Sequence, residues 1–146
     1  MKGMKDIERA LEAQRGRYEI LASMAGQARR ALMARAELDV AALMELFAAR
    51  VALMRDIEAG DRALAALAGP DEAQRWLNAE GAARKEELAA LIRGILEDDA
   101  AVEALLAEAA REAKGSLTGL ALTWRAVSGY GKGGKAAYAT FIDFRK

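Results

Sequence analysis

Cysteine and histidine are both absent from this chain of 146 residues, and proline occurs once, at Pro70. Without cysteine there are no disulfides and no thiolate zinc sites. Without histidine there is no imidazole base, no Ser-His-Asp triad and no Glu-x-x-His pair of the kind that holds di-iron centres in bundles. We therefore expect a protein that is not an enzyme and that uses no metal or other cofactor.

Aromatic residues and long apolar runs are also scarce. Aromatics make up 5% of the chain, which argues against an all-β core. No stretch reaches the roughly 18 uncharged apolar residues of a membrane span. The charged start, Met1 to Asp6, lacks the apolar run of a signal peptide. The prediction is a cytoplasmic protein without membrane insertion.

Charge is balanced overall, with 22 basic and 22 acidic residues, so the chain lacks the strongly basic surface of a nucleic-acid binder. The balance is uneven along the chain. Residues 1–70 carry 11 basic and 10 acidic side chains, residues 71–114 carry 6 and 11, and residues 115–146 carry 5 and 1. The basic charge of the last segment fits either a solvated terminus or a binding segment.

Alanine is abundant, at about a quarter of all residues, and favours helix. Apolar residues recur at alternating spacings of four and three, which predicts an all-α, coiled-coil-like, up-down antiparallel bundle of three to four long helices. We predict helices over residues 5–36, 40–68 and 84–128, a short helix over 71–79 and a bend or break at Gly115. Asp39 is predicted to cap the second helix, and Gly69-Pro70-Asp71 to form a turn.

The same spacing predicts a core made of one apolar position per helical turn: Leu11, Leu21, Leu32, Leu46, Leu53, Ile57, Leu64, Ile92, Ile95, Val102 and Leu106. Four residues interrupt these stripes. Gln14 is expected to be solvated because it lies near a helix end, and Gly60 to allow close backbone approach. Arg50 and Asp61 break the stripe of the second helix.

The helical pattern stops at Ser128, which divides the chain into a bundle, 1–128, and a Gly/Lys-rich, aromatic, extended tail, 129–146. Residues 129–136 (GYGKGGKA) nearly match a phosphate-binding loop, but Ala136 stands where a hydroxyl would bind magnesium, and no strand precedes the loop. A flexible linker is the favoured interpretation. The acidic run Glu97-Asp98-Asp99, with Glu103, is expected to be a solvated helix face rather than a cation site.

The layout of the whole chain resembles the FlgN-type flagellar export chaperones. The similarity lies in a long first helix, a short acidic cap at Asp39, and a second helix with a leucine stripe and a basic residue, Arg50, part-way along. It continues in a third long helix that ends in Tyr130-Gly131 through Gly134, followed by Phe141-Ile142-Asp143.

The resemblance implies a bacterial cytoplasmic chaperone that holds late flagellar substrates, the hook–filament junction proteins, before type III export. Its clients would be amphipathic C-terminal helices of these hook-associated proteins, bound by the C-terminal helical region. An export-apparatus component and a second copy of the chain are further candidate partners. The predicted client-binding residues are Val102, Leu106, Leu117, Leu120, Trp124, Val127, Tyr130, Tyr138, Phe141 and Phe144. The alternative is a structural coiled-coil adaptor that acts through self-association.

Overall fold

A computed structural model describes residues 2–69, 75, 78–112 and 116–128. Four helices lie in these ranges: α1 (Lys2–Met33), α2 (Val40–Ala68), α3 (Ala82–Glu112) and α4 (Ser116–Ser128). The bundle fold predicted from the sequence is confirmed. None of the described helices has both the length and the apolar character needed to cross a bilayer.

The helix boundaries lie within three residues of the predicted ones, and the predicted third helix is interrupted between Glu112 and Ser116, on either side of the bend or break predicted at Gly115. The first helix ends at Met33 instead of residue 36, and a 3-10 turn, Arg35–Glu37, leads into α2. As predicted, Asp39 caps α2, since its Oδ1 accepts a hydrogen bond from the backbone N–H of Ala42 at 3.0 Å. Gly115, the Gly69-Pro70-Asp71 turn beyond Gly69, and most of the predicted helix 71–79 lie outside the described residues.

The predicted third helix, 84–128, is two helices. Trp124 lies twelve residues beyond Glu112, and Asp99 lies thirteen residues before it. The side chain of Arg50 nevertheless contacts both Asp99 and the ring of Trp124. The chain must therefore reverse its direction between α3 and α4, so that α4 runs back along α3.

Ion pairs along α1 and α3 show that these two helices are parallel. Glu8 pairs with Arg84, Arg15 with Glu87, and Arg29 with Asp98, in the same order along both helices. The short connection from Met33 to Val40 makes α2 antiparallel to α1. The helices therefore alternate in direction, up-down-up-down, as the apolar pattern predicts.

The described core contains two clusters at different heights in the bundle. The first cluster joins α1, α2 and α3 through Tyr18, Leu21, Met54, Ile57, Leu88, Ala89, Ile92 and Ile95. The second cluster adds α4 and contains Ala28, Leu32, Leu43, Phe47, Val102, Leu106, Leu120, Trp124 and Val127. The bundle thus has a three-helix end, around the first cluster, and a four-helix end, around the second.

Nine of the eleven predicted core residues are buried, and two are not. Leu46 and Leu53 are only partly buried, at the edges of the two clusters. The α2 stripe is wider than the face that packs inward, and its buried apolar positions are Leu43, Phe47, Met54, Ile57 and Leu64. Leu46 and Leu53 lie on the flank of that face.

A polar network joins α1 to α2 at the three-helix end, and it overturns the prediction that Gln14 is solvated. Gln14 is fully buried. Its Nε2 donates to the carbonyl oxygen of Ile57 at 3.0 Å and to Asp61 Oδ1 at 2.6 Å. The hydroxyl of Tyr18 donates to Asp61 Oδ2 at 2.8 Å. Burial of these groups is possible because their hydrogen-bonding atoms are satisfied within the network.

Gly60 makes room for this network. A Cβ at this position would overlap the side-chain amide of Gln14 and come within 2.8 Å of Arg17 Nη1, which itself donates to Gln14 Oε1 at 2.6 Å. The close approach predicted at Gly60 is therefore an approach of the Gln14 side chain to α2, and not of backbone to backbone.

Candidate functional site

Helix α4 is held in the bundle by one apolar face. Leu120, Trp124 and Val127 recur at spacings of four and three, and all three are buried in the second core cluster. The ring of Trp124 packs against that of Phe47 on α2, with centroids 5.2 Å apart and planes inclined at 51°. This separation is in the favourable range for an aromatic pair.

An ion pair between Arg50 and Asp99, next to the ring of Trp124, connects α2 to α3. Arg50 is 4% exposed and forms a bidentate contact with Asp99, with Nη1 to Oδ1 at 2.7 Å and Nη2 to Oδ2 at 2.6 Å. Its guanidinium carbon also lies 5.1 Å from the centroid of the Trp124 ring, a cation–π distance. Arg50 thus contacts a residue on each of the two helices that follow α2.

The acidic run on α3 is a solvated face only in part, since Glu97 and Glu103 are exposed as predicted whereas Asp98 and Asp99 are partly buried. Asp98 pairs with Arg29 at 3.0 Å, and Asp99 pairs with Arg50. Local sequence spacing does not predict these pairs, because Arg29 lies 69 residues before Asp98 and Arg50 lies 49 residues before Asp99. Among the described residues, no group of three or more acidic side chains is arranged to hold a metal ion.

A cleft of about 350 Å³ opens between α3 and α4. Its apolar lining consists of Leu106, Ala107, Ala110, Ala121 and Trp124. Charged side chains of both signs, Glu103, Arg111 and Arg125, lie around this lining. The alanines keep the cleft open because they have no side-chain atoms beyond Cβ, and the cleft can accept apolar side chains from another helix.

One of the residues that line this cleft, Trp124, has a buried polar atom without a hydrogen-bond partner among the described residues. The indole Nε1 of Trp124 is buried and has no hydrogen-bond partner among the described residues. Buried indole N–H groups usually have a partner, because leaving a donor unpaired costs about 1–3 kcal/mol. The ring of Trp124 is therefore well packed, but its indole N–H lacks a hydrogen-bond acceptor among the described residues.

The predicted client-binding residues divide into two groups. Val102, Leu106, Leu120, Trp124 and Val127 come together, but as buried members of the second core cluster and not as an open wall. Leu106 and Trp124 also line the cleft. The Leu117 side chain and the residues Tyr130, Tyr138, Phe141 and Phe144 lie outside what the structure describes, as does the glycine-rich segment 129–136.

The predicted client-binding residues did not include the alanines of the cleft. Ala107 and Ala110 lie on α3 beside the predicted core position Leu106, and Ala121 lies on α4 next to Leu120. Small residues next to a core stripe on two consecutive helices are a signal that could have indicated a cleft. Alanine is so frequent in this chain that the signal does not stand out.

Comparisons with protein-family models, with curated proteins and with solved structures find no match to this chain.

Proposed function

We propose that this protein is a cytoplasmic export chaperone that binds amphipathic helices of late flagellar substrates, the hook–filament junction proteins, before type III secretion. The observation that favours helix binding is the apolar cleft between α3 and α4, in the C-terminal helical region where the resemblance places the client. The client class comes from the resemblance to FlgN-type chaperones alone.

A client helix would lie along the cleft and insert one row of apolar side chains. Anchors at i, i+3 or i+4, and i+7 would contact Ala107, Ala110 and Ala121, whose small size lets a second helix approach closely. Leu106 and Trp124 form the deeper apolar surface. The mixed charges of Glu103, Arg111 and Arg125 would pair with polar flanks of the client and fix its direction.

Binding in this way would keep an apolar client face out of water until export. A helix that is exposed and prone to aggregate when free is stabilised by mass action once it is bound. No chemical step is involved in this function. The protein need only bind the client more tightly than the client binds itself.

The test is calorimetric titration of the full-length protein with the C-terminal helical segment of a hook–filament junction protein. Ala107 is exposed and lines the cleft, so Ala107→Glu places a carboxylate there without touching the core. We expect this variant to bind at least about tenfold more weakly, which corresponds to about 1.4 kcal/mol. Ala83→Glu changes an exposed alanine of α3 that lies 24 residues before Ala107, far from the cleft, and it is the matched control that should bind like the parent.

If both variants bind the client as tightly as the parent protein does, the client site lies elsewhere on the bundle. Leu120→Glu is a poor probe because Leu120 is fully buried and a carboxylate there would release α4 from the core.

Removal of residues 129–146 tests separately whether the aromatic tail competes with the client. If the tail competes, its removal should raise the affinity for the client. A solution mass of two chains without client, and no client binding, would favour the self-associating adaptor.

A further inference from the structure

A second groove lies between α1 and α2 at the four-helix end of the bundle, with a volume of about 520 Å³. Its floor is apolar and is made of Ala31, Ala34, Leu38, Ala42 and Leu46. Ala34 and Ala42 are exposed, while Ala31, Leu38 and Leu46 are partly buried against the second core cluster. This groove is separate from the cleft between α3 and α4.

The apolar floor continues along both helices beyond this groove. On α1, Ile20, Met24, Gln27 and Ala31 follow one another at spacings of four and three, and Ile20 is 53% exposed. On α2, Leu46 is followed by Ala49 and Leu53 at the same spacings. Residues at these spacings share one helix face, so the uncharged floor extends for about three turns, or about 17 Å.

The rim of the groove is acidic. Glu37, Asp39 and Glu45 are exposed and line it, and none of its described lining residues is basic. Asp56, also exposed, lies eleven residues beyond Glu45 on α2 and therefore on the same face, three turns further on. An apolar floor with an acidic rim attracts a partner whose apolar face has basic flanks.

A second copy of this chain fits the groove poorly. In a two-fold symmetric contact the same patch meets itself, and the described lining of this groove has no basic residue that could pair with Glu37, Asp39 and Glu45 of the other copy. Like charges placed together across an interface oppose binding. The charge distribution therefore favours a different molecule.

We propose that the α1/α2 groove is a docking site for an amphipathic helix of about three turns whose polar flanks carry lysine or arginine. Its apolar side chains pack on Ala42, Leu46 and Ala49, and its basic flanks pair with Glu37 and Glu45. This site would let the protein hold a second, basic partner while the cleft between α3 and α4 is occupied. The proposal does not depend on the proposed export function.

The experiment uses the full-length protein and two fluorescein-labelled designed peptides of about 18 residues, long enough to be helical. Both carry leucine along one face; one has lysine on its flanks and the other has glutamate. Binding is measured by fluorescence anisotropy at low and high salt. Ala49→Glu places a charge on the groove floor, and Ala48→Glu makes the same change at the neighbouring exposed residue, rotated by about 100° away from the floor.

We expect the lysine peptide to bind, to bind more weakly as salt rises, and to lose at least about tenfold in affinity with Ala49→Glu but not with Ala48→Glu. Ala107→Glu should leave this binding unchanged, which separates the two proposed sites. The proposal is overturned if the lysine peptide shows no binding at about 1 mM, if the glutamate peptide binds equally well, or if Ala49→Glu has no effect. Sedimentation that reveals a dimer dissociated by Ala49→Glu would assign the groove to a second copy instead.

Discussion

The two ends of the bundle bury polar groups in different ways. At the three-helix end, Gln14 and Tyr18 on α1 donate to Asp61 on α2, so the network joins two helices that are neighbours in sequence. At the four-helix end, Arg50 pairs with Asp99 on α3 and lies against Trp124 on α4. The first network fixes how two helices pair, whereas the second fixes where the last two helices lie.

This difference has a structural consequence. A shift of α1 along α2 by one turn would separate Gln14 from Asp61 and leave a buried carboxylate among apolar groups, so the first network fixes the register of that pair. The second network pairs the positive charge of Arg50 on α2 with the negative charge of Asp99 on α3. Its loss should therefore affect the packing of α3 and α4, which is also where the candidate client cleft lies.

The largest expected effect comes from breaking the second network at Asp99. Arg50 is 4% exposed, and the side chain of Asp99 is 17% exposed. Asp99→Ala removes the bidentate partner of a buried guanidinium and should lower the free energy of unfolding by about 3–5 kcal/mol. Urea unfolding followed by circular dichroism measures this loss.

Asp98→Ala is the matched control for that variant. Asp98 pairs with Arg29, and these side chains are 26% and 38% exposed, so water already screens the pair. The expected loss is below about 1 kcal/mol. Equal losses for the two variants would show that the Arg50 contact is no more important than an ordinary surface pair, and the contrast between the two ends would lose its basis.

A smaller effect is expected from removing apolar volume at each end. Ile57, in the first cluster, is 1% exposed, and Leu120, in the second, is fully buried. Each change to alanine should cost about 2–5 kcal/mol if the bundle unfolds as one unit. If α4 opens independently, however, Leu120→Ala should mainly accelerate amide hydrogen exchange within 116–128 and leave the exchange of α1 unchanged.

Leu53→Ala calibrates this comparison, because Leu53 lies on the same helix as Ile57 but is only partly buried. Its truncation should cost less than about 2 kcal/mol, since fewer contacts and less cavity volume are lost. A loss as large as that of Ile57→Ala would mean that the flank of α2 is packed as tightly as its centre.

Much of this architecture could be predicted from the sequence, because helix spacing is a local property. The limits of α2, the cap at Asp39 and the core positions Ile57 and Ile92 all follow from residues within a few turns of one another. The interruption near Gly115 was predicted, since α3 ends at Glu112 and α4 begins at Ser116. The reversal of direction there could not be predicted, because apolar spacing indicates where a helix is interrupted but not which way the chain turns afterwards.

The polar contacts were harder still to predict. Arg50 and Asp61 are visible in the sequence as interruptions of an apolar stripe, but the sequence does not show whether such residues face water or a partner. The partner of Arg50 is 49 residues away, and that of Asp61 is 43 or 47 residues away. Only the packing of the helices decides which pairs meet. Which residues line the clefts depends on the same packing, so these lining residues could not be identified from the sequence.

The last comparison uses one substitution, glycine to alanine, made once at each end. In a helix this change ordinarily stabilises by about 0.4–1 kcal/mol, because alanine has less conformational entropy to lose. Gly119 on α4 is exposed, and a Cβ there meets nothing within 4 Å, so Gly119→Ala should show this gain. At Gly60 the added methyl group would displace the amide of Gln14 from its buried position.

Gly60→Ala should therefore destabilise the protein, by about 1–3 kcal/mol, because displacement leaves buried polar atoms of Gln14 and Asp61 without their mutual hydrogen bond. Thermal or urea unfolding of Gly119→Ala and Gly60→Ala measures whether each change raises or lowers the free energy of unfolding. The double variant Gly60→Ala with Gln14→Ala tests the cause: with the amide absent, only the flexible end of the Arg17 side chain must move to admit the added Cβ, and the cost should shrink or change sign. If Gly60→Ala instead stabilises like Gly119→Ala, then the Gln14 side chain does not occupy the space above Gly60, and the network at the three-helix end does not fix the register of α1 and α2.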